Sequence, residues 1–192
     1  MRRRGSFLAA MAQAYRNAGD HEAAIRTAIQ ALALLRAAES GLEAGMVENQ
    51  LAMAYAAAGS VSRARETIRH ARETTTDDRL LSSLADTEAT IELDSGHAEK
   101  ALGLADEAID LAERTEHQKA LLDGLVTRAR SLAALGRADE AAATFERAAE
   151  LAERAAPASR RRQILSAWAD SLAAVGRHDE AYALARRALE AR

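Results

Sequence analysis

Cysteine is absent from the 192 residues, which excludes disulfides, thiolate metal sites and a cysteine nucleophile together. Proline occurs once, at Pro157, and aromatic residues make up 3% of the chain, far from the aromatic and β-branched usage of a sheet protein. No apolar run reaches the roughly 18 residues a membrane span needs. The N-terminal MRRRGSFLAAMAQAYRNAG turns polar too early for a signal peptide, so a cytoplasmic protein without membrane contact is the expectation. A net charge of -3 supplies no general attraction to nucleic acid. Lysine stands only at Lys100 and Lys119, the arginine-heavy usage of a GC-rich bacterial genome. GxSxG, a Gly-rich phosphate loop, HExxH and an EF-hand loop are all missing, and neither an enzyme class nor a cofactor is indicated.

What the chain has is alanine, at 50 positions, and a phrase that returns. YRNAGDHEAAI (Tyr15 to Ile25) reappears as YAAAGSVSRAR, ELDSGHAEKAL, LAALGRADEAA and LAAVGRHDEAY. Aligned on Gly19, Gly59, Gly96, Gly136 and Gly176, the copies are spaced by 40, 37, 40 and 40 residues. Seven residues before each glycine stand Ala12, Ala52, Ala89, Ala129 and Ala169. Five after stand Ala24, Ala64, Ala101, Ala141 and Ala181, and twelve after stand Ala31, Ala71, Ala108, Ala148 and Ala188. At this alanine content, fifteen matches in a fixed frame arise by chance about once in a billion trials, so the period is real.

A glycine after an amphipathic helix takes the left-handed conformation that ends it, and the chain turns back through a short polar link. Each repeat therefore reads as a helical hairpin, over 6–39, 42–74, 78–114, 117–155 and 158–191. Alanines on both sides of the turn let neighbouring helices approach closely. Apolar residues at helical spacing (Leu8, Met11 and Tyr15; Ile25, Ile29 and Leu32) fill the seam, and Asp77 and Ser60 are read as N-caps. Without a long linker, residues 1–192 read as a single domain.

This layout resembles the tetratricopeptide repeat. That family places small residues at these three offsets, glycine at the turn, and large residues four and eight before it, matched here by Tyr15 and Tyr55 and by Met11, Leu51 and Trp168. The chain departs from it in a repeat near 40 residues, the long variant of bacterial regulators, and in having the closing proline only as Pro157. The resemblance implies an all-α fold, a right-handed α-solenoid of five helix-turn-helix hairpins with about ten antiparallel helices. It also implies a concave groove lined by the first helix of each hairpin. At the family's offsets this groove presents Gln13, Arg16, Asn17, Met46, Asn49, Met53, Asp86, Thr90, Asp94, Asp123, Arg130, Gln163 and Asp170. Amides suit a peptide backbone and methionines adapt to apolar side chains, so the expected partner is a protein or peptide. The family's lysine-based clamp for chaperone tails is set aside, since this groove holds no lysine.

Other features read as structural. All five histidines are taken as surface residues, with no ligand-like spacing for a metal. Glu88 and Glu92 stand where other repeats carry large apolar residues, and Arg128, at the offset matching Glu88 in the next repeat, is the expected partner of one or both. The runs Arg2 to Arg4 and Arg160 to Arg162 lack interleaved aromatics, and direct nucleic-acid binding by this chain is not expected. Hairpins reaching both ends without capping helices suggest either a longer protein or a homo-oligomer formed through those ends. The function expected is a non-enzymatic, peptide-binding domain, the sensory or oligomerising part of a bacterial transcriptional regulator. The alternative is a free-standing scaffold or adaptor for assembling a protein complex.

Overall fold

A computed structural model describes residues 1–191, which form ten α-helices and no strand. The hairpins are α1 (Arg2–Asn17) with α2 (His21–Arg36), α3 (Gly41–Ala57) with α4 (Val61–Thr74), α5 (Asp78–Asp94) with α6 (Ala98–Arg114), α7 (Gln118–Ala134) with α8 (Ala138–Ala155), and α9 (Ala158–Ala174) with α10 (His178–Glu190). The five turn glycines have φ between +73° and +85°. After each glycine, Asp20, Ser60, His97, Arg137 or Arg177 donates its N–H to the carbonyl five residues back, at 2.8 to 3.0 Å, which satisfies an end group the helix cannot.

The alanine code is physical. None of the fifteen is more than 8% exposed. The seam is only partly as expected: Leu32 is buried, whereas Ile29 is 47% exposed on the outer side of α2. Asp20 and Asp77 accept N–H bonds from Ala23 and Leu80 at 2.9 and 2.8 Å. Ser60 occupies a cap position but its side chain accepts nothing from its helix. The first helix starts at Arg2, not at residue 6, so the leading arginines are helical.

The chain divides into two compact units, Met1–Ile91 and Glu92 onward. In the first, α1, α2 and α3 close a core around Leu32, Leu35, Val47 and Leu51, and α3, α4 and α5 close another around Ile68, Leu80, Leu84 and Ile91. In the second, Ile109, Leu122, Leu125 and Ile164 form one cluster, and Leu165, Leu172 and Leu184 the next. Phe145 and Trp168 stack with ring centroids 6.0 Å apart, joining α8 to α9.

Candidate peptide-binding face

The expected groove residues stand thirteen, ten, six, three and two positions before each turn glycine. At about 100° per residue they share one face of each first helix, opposite the face made by positions eleven, eight and four before it. In the first unit α1 and α3 lie side by side. Ser6 Oγ donates to Glu43 Oε2 at 3.4 Å, and Arg2 donates twice to Glu43 Oε1 at 2.9 and 3.1 Å. Two turns further along both helices, after about seven residues, this register brings Gln13 beside Gln50, and then Arg16 beside Met53.

That strip is incompletely satisfied. Gln13 donates to Asn17 at 2.8 Å. The enclosed Nε of Arg16 and the enclosed side-chain oxygens of Asn49 and Gln50 have no hydrogen-bond partner among the described residues. Burial pushes the Arg16 pKa down from the ordinary arginine value, because no carboxylate offsets the lost hydration. Alongside these, Leu42 and Met46 of α3 are each 52% exposed, and Met53 is half-buried. Leu42 and Gln50 were outside the expected set. The spacing Leu42, Met46, Asn49, Met53 along one helix face is the signal that marks Leu42, whereas the enclosure of Gln50 is visible only in three dimensions. Asp86 and Thr90 lie half-buried on α5.

The corresponding face of the second unit pairs with itself. Arg130 donates to Asp94 at 3.2 Å. Asp123 accepts from Lys119 at 2.8 Å and from Arg160, whose guanidinium also reaches Gln163 at 3.1 Å. Asp170 is exposed on α9. The arginine runs are likewise engaged: Arg2 with Glu43, Arg161 with Glu153 at 3.2 Å, and Arg162 with the Ala191 carbonyl at 3.0 Å.

On the opposite face the expected pairing of Arg128 with Glu92 does not form within the second unit. Arg128 donates to Asp106 and to Thr144, each at 2.7 Å, while Glu88 faces Arg72 at 3.6 Å within the first unit. Glu92, 2% exposed, meets His97 at 2.8 Å and accepts from Lys100 at 3.0 Å. Local cations on the following helix thus reach the carboxylate before an arginine of the next repeat does. His70 similarly meets buried Glu48 at 3.1 Å, beside Arg36. His70 and His97 are therefore not idle surface residues: each holds a buried carboxylate, a role that depends on the hidden partner rather than on histidine spacing. Among the described residues, no three His, Asp or Glu side chains are arranged to hold a metal. No described helix is long and apolar enough to cross a membrane.

Five glycine-turned hairpins with buried alanines at constant offsets define a helical repeat protein. Residues 6–34, in α1 and α2, and 122–154, in α7 and α8, match the tetratricopeptide repeat. The fold is shared by the kinesin-light-chain TPR-like repeats of Podosopora anserina (TM-score 0.68, 20% identity, covering 99% of this chain and 95% of that one). It is shared by a thermophilic TPR protein of Thermus thermophilus (TM-score 0.72, 22% identity, 97% and 91%). A Rap protein complexed with competence and sporulation factor is also similar (TM-score 0.80, 13% identity), covering 98% of this chain and 64% of that one. At these identities the likeness is one of fold. No curated protein matches the chain in sequence.

Proposed function

We propose that this chain is a non-enzymatic domain that binds a peptide or protein segment on the first-helix face, chiefly along α1 and α3. The carrying observation is the contrast between the units: Arg16, Asn49 and Gln50 hold unpartnered polar atoms beside exposed Leu42 and Met46, whereas on the second unit's face Arg130 pairs with Asp94 and Arg160 with Asp123. An extended peptide brings alternating N–H and C=O groups and apolar side chains, which is what such a strip lacks. The similar Rap fold, complexed with its factor, supports a ligand-bearing role. In this reading the chain is the sensory or oligomerising part of a cytoplasmic bacterial transcriptional regulator. Binding to a synthetic peptide library should be abolished by combining Asn49→Ala with Met46→Ala; unchanged binding would remove the groove from consideration.

The second reading is a free-standing assembly scaffold, favoured by the likeness to kinesin-light-chain repeats. A helix-turn-helix domain encoded in frame upstream of Met1 selects the regulator; co-purification of a multiprotein complex lacking any DNA-binding subunit selects the scaffold. Light scattering on the purified chain tests self-association.

A further inference from the structure

Arg16 differs from the other arginines of this face. Arg2 reaches Glu43, Arg130 reaches Asp94, and Arg160 reaches Asp123, whereas Arg16 has no carboxylate among the described residues. It lies in the last turn of α1, where the helix dipole favours a cation, but a dipole leaves an enclosed Nε–H without an acceptor. The other unmet groups of the first-helix face in this unit have the opposite polarity, since Asn49 Oδ1 and Gln50 Oε1 are acceptors without donors. The complement of this strip is therefore one anionic acceptor flanked by N–H donors, with apolar groups toward Met46 and Leu42. Peptide backbone next to an acidic residue has that pattern. A nucleic-acid backbone, which presents chiefly acceptors, leaves the two amide oxygens and the apolar strip unanswered.

Resting on the peptide-binding reading above, we propose that the ligand is a short peptide carrying an Asp or Glu side chain that docks on Arg16, with Leu-, Met- or Phe-type residues on Met53, Met46 and Leu42. A side-chain carboxylate is the assigned source. On its methylene stem it reaches the Arg16 guanidinium, and its backbone N–H groups meet Asn49 and Gln50 once those side chains turn their enclosed oxygens outward. A carboxylate borne directly on the chain terminus would have to carry the backbone in with it.

The test uses the full chain and an array of short, C-terminally amidated peptides combining Leu, Met or Phe with Asp or Glu, each paired with its Asn or Gln twin, together with free-acid versions of the same peptides. Acidic members should bind roughly tenfold tighter than their twins, the effect of one charge-assisted hydrogen bond. Arg16→Gln should erase that difference while Arg16→Lys retains part of it, with melting curves confirming that both variants are folded. Equal binding of the twins to the unaltered chain overturns the proposal while leaving the groove in place, provided Asn49→Ala still weakens both. A preference for free C-termini without a preference for Asp or Glu overturns the side-chain assignment. If no array member binds in an Asn49-dependent way, the peptide-binding reading fails and this proposal with it.

Discussion

The two units carry the same cleft with its charges rearranged. In the first, between α2, α3 and α4, a cleft of about 340 Å³ has Glu48 at its floor, with Arg36, Arg63 and His70 around it. In the second, the residues at the same distances from the turn glycine are Leu125 for Glu48, Arg128 for Leu51, Glu140 for Arg63 and Arg147 for His70. Even the partner from the preceding repeat changes sign: Arg36 bonds Glu48, whereas Glu113 bonds Arg147. The repeat therefore specifies backbone and small-residue contacts but leaves the polar lining free to vary, provided each buried charge keeps a partner. The first-helix face shows the same freedom: Arg130 and Arg160 of the second unit meet carboxylates, whereas Arg16 of the first meets none.

The core offers the largest test of whether the units are separate. Ile68 and Phe145, both fully buried, stand nine residues after their turn glycines. Ile68→Ala should cost about 2–5 kcal/mol and Phe145→Ala about 3–5 kcal/mol, measured by urea unfolding. Only Phe145→Ala removes the ring stacked on Trp168, so only it should red-shift the native tryptophan emission. A red shift in folded Ile68→Ala would mean that the units respond as one.

The core was legible in the sequence because its rule is local. Ala12, Gly19, Ala24 and Ala31 repeat at fixed intervals, and close helix approach and a left-handed turn each demand a particular residue type at a particular step. The polar partners were not legible in the same way. Glu92 had three plausible cations within a helix or two, and the choice of His97 and Lys100 over Arg128 depends on side-chain reach that no spacing rule encodes. Arg16 and Asn49 were expected on the groove by their offsets, but that their polar atoms are enclosed and unpartnered required the neighbouring helix to be in place.

The rearranged cleft gives the next test. Arg36→Leu leaves Glu48, 3% exposed, with His70 alone, and should cost about 2 kcal/mol. Glu48→Leu, which installs the residue found at 125, should change stability by less than about 1 kcal/mol, because removing a buried charge also removes its desolvation cost. In the second unit Arg147→Leu breaks an exposed pair and should cost well under about 1 kcal/mol. Equal costs for Arg36→Leu and Arg147→Leu would show that burial of Glu48 does not set the difference.

The links between hairpins sharpen the likeness instead. Glu39 and Glu116, each twenty residues after a turn glycine, have φ of +55° and +52°, with Ser40 N–H bonded to the Leu35 carbonyl and His117 N–H to that of Ala112. A glutamate in this conformation is strained where glycine is not. Glu39→Gly and Glu116→Gly should each stabilise by about 0.5–1 kcal/mol in thermal melts, and Gly59→Ala and Gly136→Ala should destabilise by about 1 kcal/mol. Similar values in the two units are expected, since these sites carry only backbone strain.

The smallest effect concerns acid. Hydrogen bonds from Arg2, Arg137 and Arg177 hold the Glu43, Glu140 and Glu180 carboxyls below the ordinary carboxylate range. A carboxyl whose pKa is lower folded than unfolded contributes stability at neutral pH and loses it as pH falls through its folded value. All three are exposed pairs screened by water, so the loss on acidification is slight. Two of the three belong to the second unit. Arg137→Gln with Arg177→Gln should therefore flatten the acid side of the pH–stability profile more than Arg2→Gln does. Equal flattening would mean that these three pairs do not set the acid response.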